Sequence, residues 1–224
     1  MHKISKLHYI TQDNIFGYTH AQLAEEACMA GVEWLQLRTK YKGASEWKQI
    51  ALDVKKVCDK YNTKLIINDN VKLAKEIEAA GVHLGQKDMP IAEARKLLGQ
   101  DFIIGGTANN LMDIEDHIEA GVDYIGLGPF WFTKTKEKLS PVLGLEGYRK
   151  IMNACNQHGI TTPIIAIGGI KLKDVKNIME TGIYGIAVSS AINSALDKEG
   201  EAKKFINEVN RLTNNTHEAV SNSR

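Results

Sequence analysis

Residues 65–90, LIINDNVKLAKEIEAAGVHLGQKDMP, decide how the rest of the chain reads. Leu65-Ile66-Ile67 is an apolar run of strand length. Val71 to Ala80 repeats apolar residues at helical spacing, and Val82-His83-Leu84 starts a second apolar run after Gly81, which reads as the helix stop. The unit is strand, helix, strand. In such a unit the two strands run parallel and both C-terminal ends emerge on one side, so Asn68, Asp69, Gln86 and Asp88 can face one pocket. Asp69 and Asp88 are hard oxygen donors of the kind that suits Mg²⁺, which takes one or two carboxylates and completes its shell with water and phosphate oxygens. The competing reading is local: Asp69 as the cap of the following helix and Asp88 as a turn residue. Polar neighbours at both strand ends favour the site.

Outward from this unit the same alternation continues. Strand-like runs at His8-Tyr9-Ile10, Trp34 to Arg38, Phe102-Ile103-Ile104, Tyr124 to Gly128, Ile164 to Ile167 and Gly185 to Val188 alternate with helical patterns. Those patterns cover Ala21 to Ala30, Glu46 to Tyr61, Ile91 to Leu98, Leu111 to Ala120, Leu145 to His158, Val175 to Glu180 and Ala202 to Leu212. Pro90 opens the helix that Gly99 closes, and Gly121 and Gly182 close others. With the opening unit this makes eight strand-plus-helix pairs, which predicts a single (β/α)8 TIM barrel over residues 1–213. An open doubly wound sheet is the alternative. The phosphate-cradling GxGxxG turn of a dinucleotide fold is missing, since Gly126-Leu127-Gly128 runs on into Pro129-Phe130-Trp131. The segment 214–224, polar and without periodicity, reads as a disordered tail.

Composition narrows the partners. The chain has 224 residues, an ordinary length for one such barrel, and its 43% hydrophobic content supplies a sizeable core. Lys plus Arg number 28 against 27 Asp plus Glu, a net charge of +1, so no global field points to nucleic acid or an anionic membrane. An anionic small molecule must then be gripped locally. Cys28, Cys58 and Cys155 form no CxxC pair and read as buried thiols of a reducing compartment, which argues against zinc. With no 18-residue apolar run and no secretory h-region at the start, the expected location is the cytoplasm.

Strand C-terminal ends carry the chemistry of such barrels. Here those ends hold Gln36, Arg38 and Lys40; Asn68 and Asp69; Gln86 and Asp88; Thr107; the loop Thr133-Lys134-Thr135-Lys136; Gly168-Gly169; and Ser189-Ser190. Arg38 and Lys40 stand two apart, so an extended chain sends both the same way, and with Lys136 they can surround a polyanion. The alternative is a solvated basic loop. Gly168-Gly169 after strand seven and Ser189-Ser190 after strand eight lie where barrels frequently hold a phosphate on backbone N–H groups. Two anion sites and a metal site around one mouth suit a reaction that joins or splits a monophosphate and a diphosphate. His83, between Val82 and Leu84, reads as a hydrogen-bonded interior residue rather than an acid or base. Trp34 and Trp47 read as packing, and Trp131 as a cover for the site.

QLRTK (36–40), INDN (67–70), GVHLGQKDMP (81–90), DYIGLGPFWFTKTK (123–136) and AIGGI (166–170) closely resemble thiamine phosphate synthase, in order, over roughly Leu7 to Ile192. The resemblance implies a barrel that joins 4-amino-2-methyl-5-hydroxymethylpyrimidine diphosphate to a thiazole monophosphate with Mg²⁺, yielding thiamine phosphate and diphosphate. It implies Asp69 and Asp88 as Mg²⁺ ligands and Arg38, Lys40, Asn68 and Lys136 as the diphosphate grip. It further implies Gln36 at the pyrimidine, Thr133 and Thr135 on the thiazole side, and Gly169, Ser189 and Ser190 at the thiazole phosphate. The chain departs from the family pattern at Thr107, where Ser is usual, at Phe132, where Pro is common, and at Thr39, where an acidic residue is common. Thr107 keeps the hydroxyl, and Phe132 bears on loop stiffness. The implied course is dissociative: diphosphate leaves from an electron-rich aminopyrimidine and the thiazole nitrogen attacks the cation, with no protein nucleophile. The rivals are a thiazole tautomerase, which would need an acid or base such as His83, and a noncatalytic thiazole or thiamine phosphate-binding protein. A homo-oligomer is compatible with each.

Overall fold

The computed structural model describes residues 2–40, 43–132 and 141–221, with side chains through residue 214. In chain order these residues form β1 (Leu7–Ile10), α1 (His20–Met29), β2 (Trp34–Leu37), α2 (Ala44–Tyr61), β3 (Lys64–Asn68) and α3 (Val71–Glu76). Next come β4 (Gly81–Leu84), α4 (Ile91–Leu98), β5 (Ile103–Ala108), α5 (Leu111–Glu119), β6 (Tyr124–Leu127) and α6 (Gly144–Gln157). The chain ends with β7 (Ile164–Ile167), a 3-10 turn at Leu172–Asp174, α7 (Val175–Met179), β8 (Gly185–Val188), α8 (Ser190–Asn193) and α9 (Lys198–Ser221). Each strand pairs in parallel with the next, and β1 pairs with β8 through Leu7↔Ile186, His8↔Ala187 and Tyr9↔Val188, closing the barrel. The open-sheet alternative is thereby excluded.

Strand residues alternate between two apolar environments because successive side chains leave opposite faces. Ile10, Trp34, Ile66, Ile103, Tyr124, Ile165 and Ala187 fill the barrel interior, joined from below by Ile4. Leu35, Leu37, Ile67, Val82, Leu84, Ile104, Ile125, Leu127, Ala166, Ile186 and Val188 face outward into the helix layer. Burial on both faces explains why the strands read as continuous apolar runs. The helices supply the matching stripes: Ala51, Val54 and Cys58 are the buried side of α2, and Ile91, Ala94 and Leu98 that of α4. All three cysteines are buried and free. No helix among the described residues is long and apolar enough to cross a membrane.

Several boundaries differ from the sequence expectation. Gly81 does not stop a helix: α3 ends at Glu76, the backbone turns through Glu78 at φ 52°, and Gly81 is the first residue of β4. Its role is steric, since a Cβ there would lie 2.1 Å from the carbonyl oxygen of Ile103 on β5. Likewise β5 runs through Gly105-Gly106-Thr107 instead of ending before them. β2 ends at Leu37, before Arg38, and β6 at Leu127, before Gly128. The last helix is preceded by α8 and extends on both sides of the expected Ala202 to Leu212, carrying helical backbone to Ser221.

Candidate active site

A closed parallel barrel brings all eight strand ends to one rim. On that rim β2 and β3 are joined by a buried side-chain pair, Gln36 Nε2 donating to Asn68 Oδ1 at 2.7 Å. β3 and β4 are tied at the next residue, where Asp69 N–H donates to His83 O at 2.9 Å. Asp69 adopts a left-handed backbone, φ 66°, which is uncommon outside glycine and costs about 1 kcal/mol. It is exposed, and it does not cap α3: Asn70 does, accepting from Leu73 N–H at 3.0 Å. That disposes of the helix-cap alternative for Asp69. For Asp88 the turn reading does describe one oxygen, since Oδ2 accepts from Gly85 N–H at 2.6 Å. A carboxylate has four lone-pair positions, so this bond does not exhaust it. Gln86, grouped by the sequence with these residues, instead donates through Nε2 to Asp113 Oδ2 on α5 at 2.7 Å.

Arg38 and Lys40 follow β2 and are half-buried. Their backbone is held by the segment that follows β1. Arg38 N–H donates to Thr11 Oγ1 at 3.2 Å, Thr39 Oγ1 to Asp13 Oδ1 at 2.7 Å, and Lys40 N–H to Asp13 Oδ2 at 2.7 Å. His20, at the start of α1, lies 3.0 Å from Asp13 Oδ1 through Nε2 and 2.9 Å from Thr11 Oγ1 through Nδ1. Burial pushes the Asp13 carboxyl up, but the hydrogen bonds from His20, Thr39 and the Lys40 N–H together outweigh it, so the net shift is downward. Sequence reading missed Thr11, Asp13 and His20. The only available signal was a short run of polar residues just past a strand.

Below the rim, Thr107 Oγ1 is 3.0 Å from His83 Nε2, and His83 Nδ1 is 3.0 Å from Tyr124 Oη. Burial raises the Tyr124 phenol, and the Asp123 charge adds to this, so the hydroxyl keeps its proton at neutral pH. Both ring nitrogens of His83 are therefore engaged inside the barrel, in line with the interior reading. The cluster exists because Gly105 and Gly126 have no side chains: a Cβ on Gly105 would meet the Tyr124 ring at 2.2 Å, and one on Gly126 would meet His83 Cε1 at 3.0 Å.

On the opposite part of the rim the chain after β6 lies along the end of β7. Phe130 N–H donates to Ile167 O at 2.8 Å and Trp131 N–H to Gly168 O at 2.9 Å. Gly168 and Gly169 both have positive φ, 100° and 69°, and a Cβ on Gly169 would sit 3.1 Å from Trp131 Cβ and Phe132 O. These glycines thus allow a close crossing of two backbones. Trp131 is 61% exposed beside them. Thr133, Thr135 and Lys136 lie outside the described residues. After β8, Ser189 Oγ accepts from Asn193 Nδ2 at 3.1 Å, and the fully buried Asn193 also holds Ile10 O and Tyr9 Oη on β1. Ser190 is exposed at the start of α8.

Among the described residues no group of three or more His, Cys, Asp and Glu side chains gathers as a metal site. Two cavities of about 360 and 390 Å³ flank Lys6 and Tyr184 at the opposite, N-terminal end of the barrel, and contain none of the expected site residues. We place no chemistry in them, because the polar strand ends lie on the other face.

The sequence matches the family model described as thiamine monophosphate synthase over residues 7–192. The thiamine-phosphate synthase of Bacteroides fragilis is 50% identical over 190 residues, covering 85% of this chain and 93% of the relative. That of Phocaeicola vulgatus is 49% identical over 207 residues, covering 92% and 98%. Among solved structures, thiamine phosphate pyrophosphorylase from Pyrococcus furiosus superposes with a TM-score of 0.82 at 29% identity, over 92% of this chain and 96% of that one.

Proposed function

From the premise that the chain belongs to the thiamine monophosphate synthase family and is a transferase, we propose that it joins hydroxymethylpyrimidine diphosphate to hydroxyethylthiazole phosphate, releasing thiamine phosphate and diphosphate. One observation supports the reading of the site: the backbone bearing Arg38 and Lys40 is pinned to the segment after β1, and β2, which leads into it, pairs with β3 and β3 with β4, the two strands that precede Asp69 and Asp88. Cationic side chains next to a carboxylate pair suit a polyanion bound with a divalent cation.

In this reading Gln36 and Asn68, bonded to each other at the mouth, meet the pyrimidine, with Asn68 reaching the diphosphate. Thr107, buried under the rim on His83, supports the same subsite. Ser189, Ser190 and Gly169 are read as holding the monophosphate largely through backbone N–H groups, a reading supported by the exposed end of α8 and the positive-φ glycines after β7. Thr133 and Thr135 are assigned to the thiazole side and Lys136 to the diphosphate on the family resemblance alone.

In the reaction the C–O bond between the pyrimidine methylene and the diphosphate breaks, and its electron pair leaves on the diphosphate oxygen. Arg38 and Lys40, on a backbone pinned before the ligand binds, would meet that growing charge with little reorganisation, and Lys136 is assigned the same role on the family resemblance. The thiazole nitrogen then donates its lone pair to the methylene carbon, forming the new C–N bond. No protein nucleophile takes part. The donor chemistry suits Mg²⁺: Asp69, exposed after β3, and Asp88, with one oxygen on its own turn after β4, are hard carboxylates of the kind that binds it together with water and phosphate oxygens. When bound, Mg²⁺ would neutralise diphosphate charge and so ease its departure. A tautomerase is disfavoured, because both nitrogens of His83 are already hydrogen-bonded.

The test incubates the purified chain with both substrates and measures thiamine phosphate against Mg²⁺ for wild type, Asp69→Asn and Asp88→Asn. Each substitution is expected to raise the Mg²⁺ concentration for half activity while leaving thiazole phosphate binding intact. Synthesis without metal, or an unchanged Mg²⁺ dependence in both variants, would refute the metal assignment. Absence of thiamine phosphate at every Mg²⁺ concentration in the wild type would refute the reaction.

A further inference from the structure

The reading above needs Arg38 and Lys40 to converge on one anion, yet both follow the last residue of β2 and extend from irregular chain. Long basic side chains on a loose loop lose much of their binding energy to the entropy of being ordered. Here three consecutive residues are held by one neighbouring segment. Thr11 takes the Arg38 N–H, one oxygen of Asp13 takes the Thr39 hydroxyl, and the other takes the Lys40 N–H. Thr39 is buried where it meets Asp13. With the Arg38 and Lys40 N–H groups and the Thr39 side chain all tied down, the backbone from which the two cationic side chains leave is fixed.

The Asp13 carboxylate only accepts, so His20 must donate through Nε2–H. Its Nδ1 lies 2.9 Å from the Thr11 hydroxyl, whose oxygen accepts from the Arg38 N–H. Asp13 is thus braced by a histidine that is buried and that also orients Thr11. The set binds two backbone N–H groups and the Thr39 hydroxyl. Its product is the placement of the 38–40 backbone.

We propose that Asp13, supported by His20 and Thr11, is a positioning residue for the anion grip, holding the chain so that Arg38 and Lys40 are set for a diphosphate before it arrives. The inference rests on the reading of Arg38 and Lys40 as diphosphate ligands. Preorganised charge binds more tightly than the same charge on a mobile loop, because the ordering cost falls in folding and not in binding.

The test is calorimetric titration of inorganic diphosphate in the presence of Mg²⁺, and separately of the thiazole phosphate, into wild type, Asp13→Ala, Arg38→Ala and the double variant. KM values for both substrates are measured in parallel. Asp13→Ala is expected to weaken diphosphate binding about tenfold and raise KM for the pyrimidine diphosphate to match, with thiazole phosphate changed by less than about twofold. In the double variant the two losses should fall well short of multiplying, since Asp13 acts through the residues it places. Thr39→Val removes one bond and leaves the carboxylate in place. It should show the same selective loss at about threefold, which keeps the test open if Asp13→Ala does not fold. Equal weakening of both ligands, fully multiplicative losses, or unchanged diphosphate binding in Asp13→Ala and Thr39→Val would overturn the positioning role. If Arg38→Ala binds diphosphate as wild type does, the grip itself fails and the inference with it.

Discussion

His8 sets a pH limit on the fold that can be worked out from its surroundings. The side chain enters the barrel from β1 and is 1% exposed, with its ring stacked on Trp34 at 4.4 Å and 18° and the Tyr124 ring edge-on at 5.1 Å. Nε2 is 2.9 Å from Ser5 O. Burial lowers its pKa from 6.5 to about 3; the bond to Ser5 opposes the shift and the nearby His83 adds to it. The native ring therefore stays neutral down to about pH 3, whereas the unfolded chain takes up a proton near 6.5. Between those values the unfolded state binds more protons, so stability is lost as pH falls through the window and regained as it rises. Each unit amounts to about 1.4 kcal/mol, so this residue alone costs about 2 kcal/mol at pH 5, a sizeable share of the roughly 5–15 kcal/mol that holds a domain together. The assay is urea unfolding followed by circular dichroism at pH 7.5, 6 and 5, for wild type and His8→Phe, which keeps an aromatic ring against Trp34 but cannot titrate. His8→Phe should lose about 2 kcal/mol less than wild type between pH 7.5 and 5. Parallel pH dependence in the two proteins would mean that His8 is protonated in the native state or reaches water, and the argument from burial would fail.

Two further substitutions separate chemistry from packing. Lys136→Ala is expected to lower kcat by about 100-fold or more while the fold is retained, by analogy with removal of one preorganised donor from a developing charge; near-normal turnover would remove Lys136 from the mechanism. Gly105→Ala places a methyl 2.2 Å from the Tyr124 ring. Overpacking of that kind costs about 1–3 kcal/mol, so the melting temperature should drop and the Tyr124–His83 bond should loosen; an unchanged melting temperature would show that the ring can move aside freely.

The architecture was legible because its signals are local and periodic. α4 matches the expected Ile91–Leu98, since Pro90 presets its first turn and Gly99 at φ 82° ends it. β7 and β8 also match, being apolar runs bounded by glycine. Gly81 misled the reading because a glycine needed for steric clearance looks like a helix stop: the chain passes within 2.1 Å of where its Cβ would be, and only the neighbouring strand reveals this. Gly105 and Gly106 were misread for the same reason, lying inside β5 to leave room for Tyr124 and for side chains outside the barrel. At the site, placing functional residues at strand ends followed from the fold class alone. The hydrogen bonds that hold them did not, because Thr11, Asp13 and His20 act on Arg38, Thr39 and Lys40 across a distance in sequence that has no period. Gln86 shows the converse error, since a residue of the right type at a strand end is drawn off by Asp113, a partner on another helix.

The two parts of the rim are built differently, and the difference bears on which anion belongs where. From β1 to β4 the backbone is held by side chains: Thr11, Asp13 and His20 fix the 38–40 segment, and Gln36 meets Asn68. This sets long cationic groups on a rigid base, an arrangement suited to the more highly charged ligand. After β8 the Asn193 side chain holds Ser189, while between β6 and β7, Gly168, Gly169 and the segment 130–132 pack backbone on backbone. A surface of that kind offers N–H groups and close approach, which suits a monophosphate that is retained throughout the reaction. A leaving group must be met by charge that strengthens as it departs, whereas the ligand kept in the product needs only to be oriented. On the proposed reading, this contrast is the reason to assign the diphosphate to Arg38 and Lys40 and the thiazole phosphate to Gly169, Ser189 and Ser190.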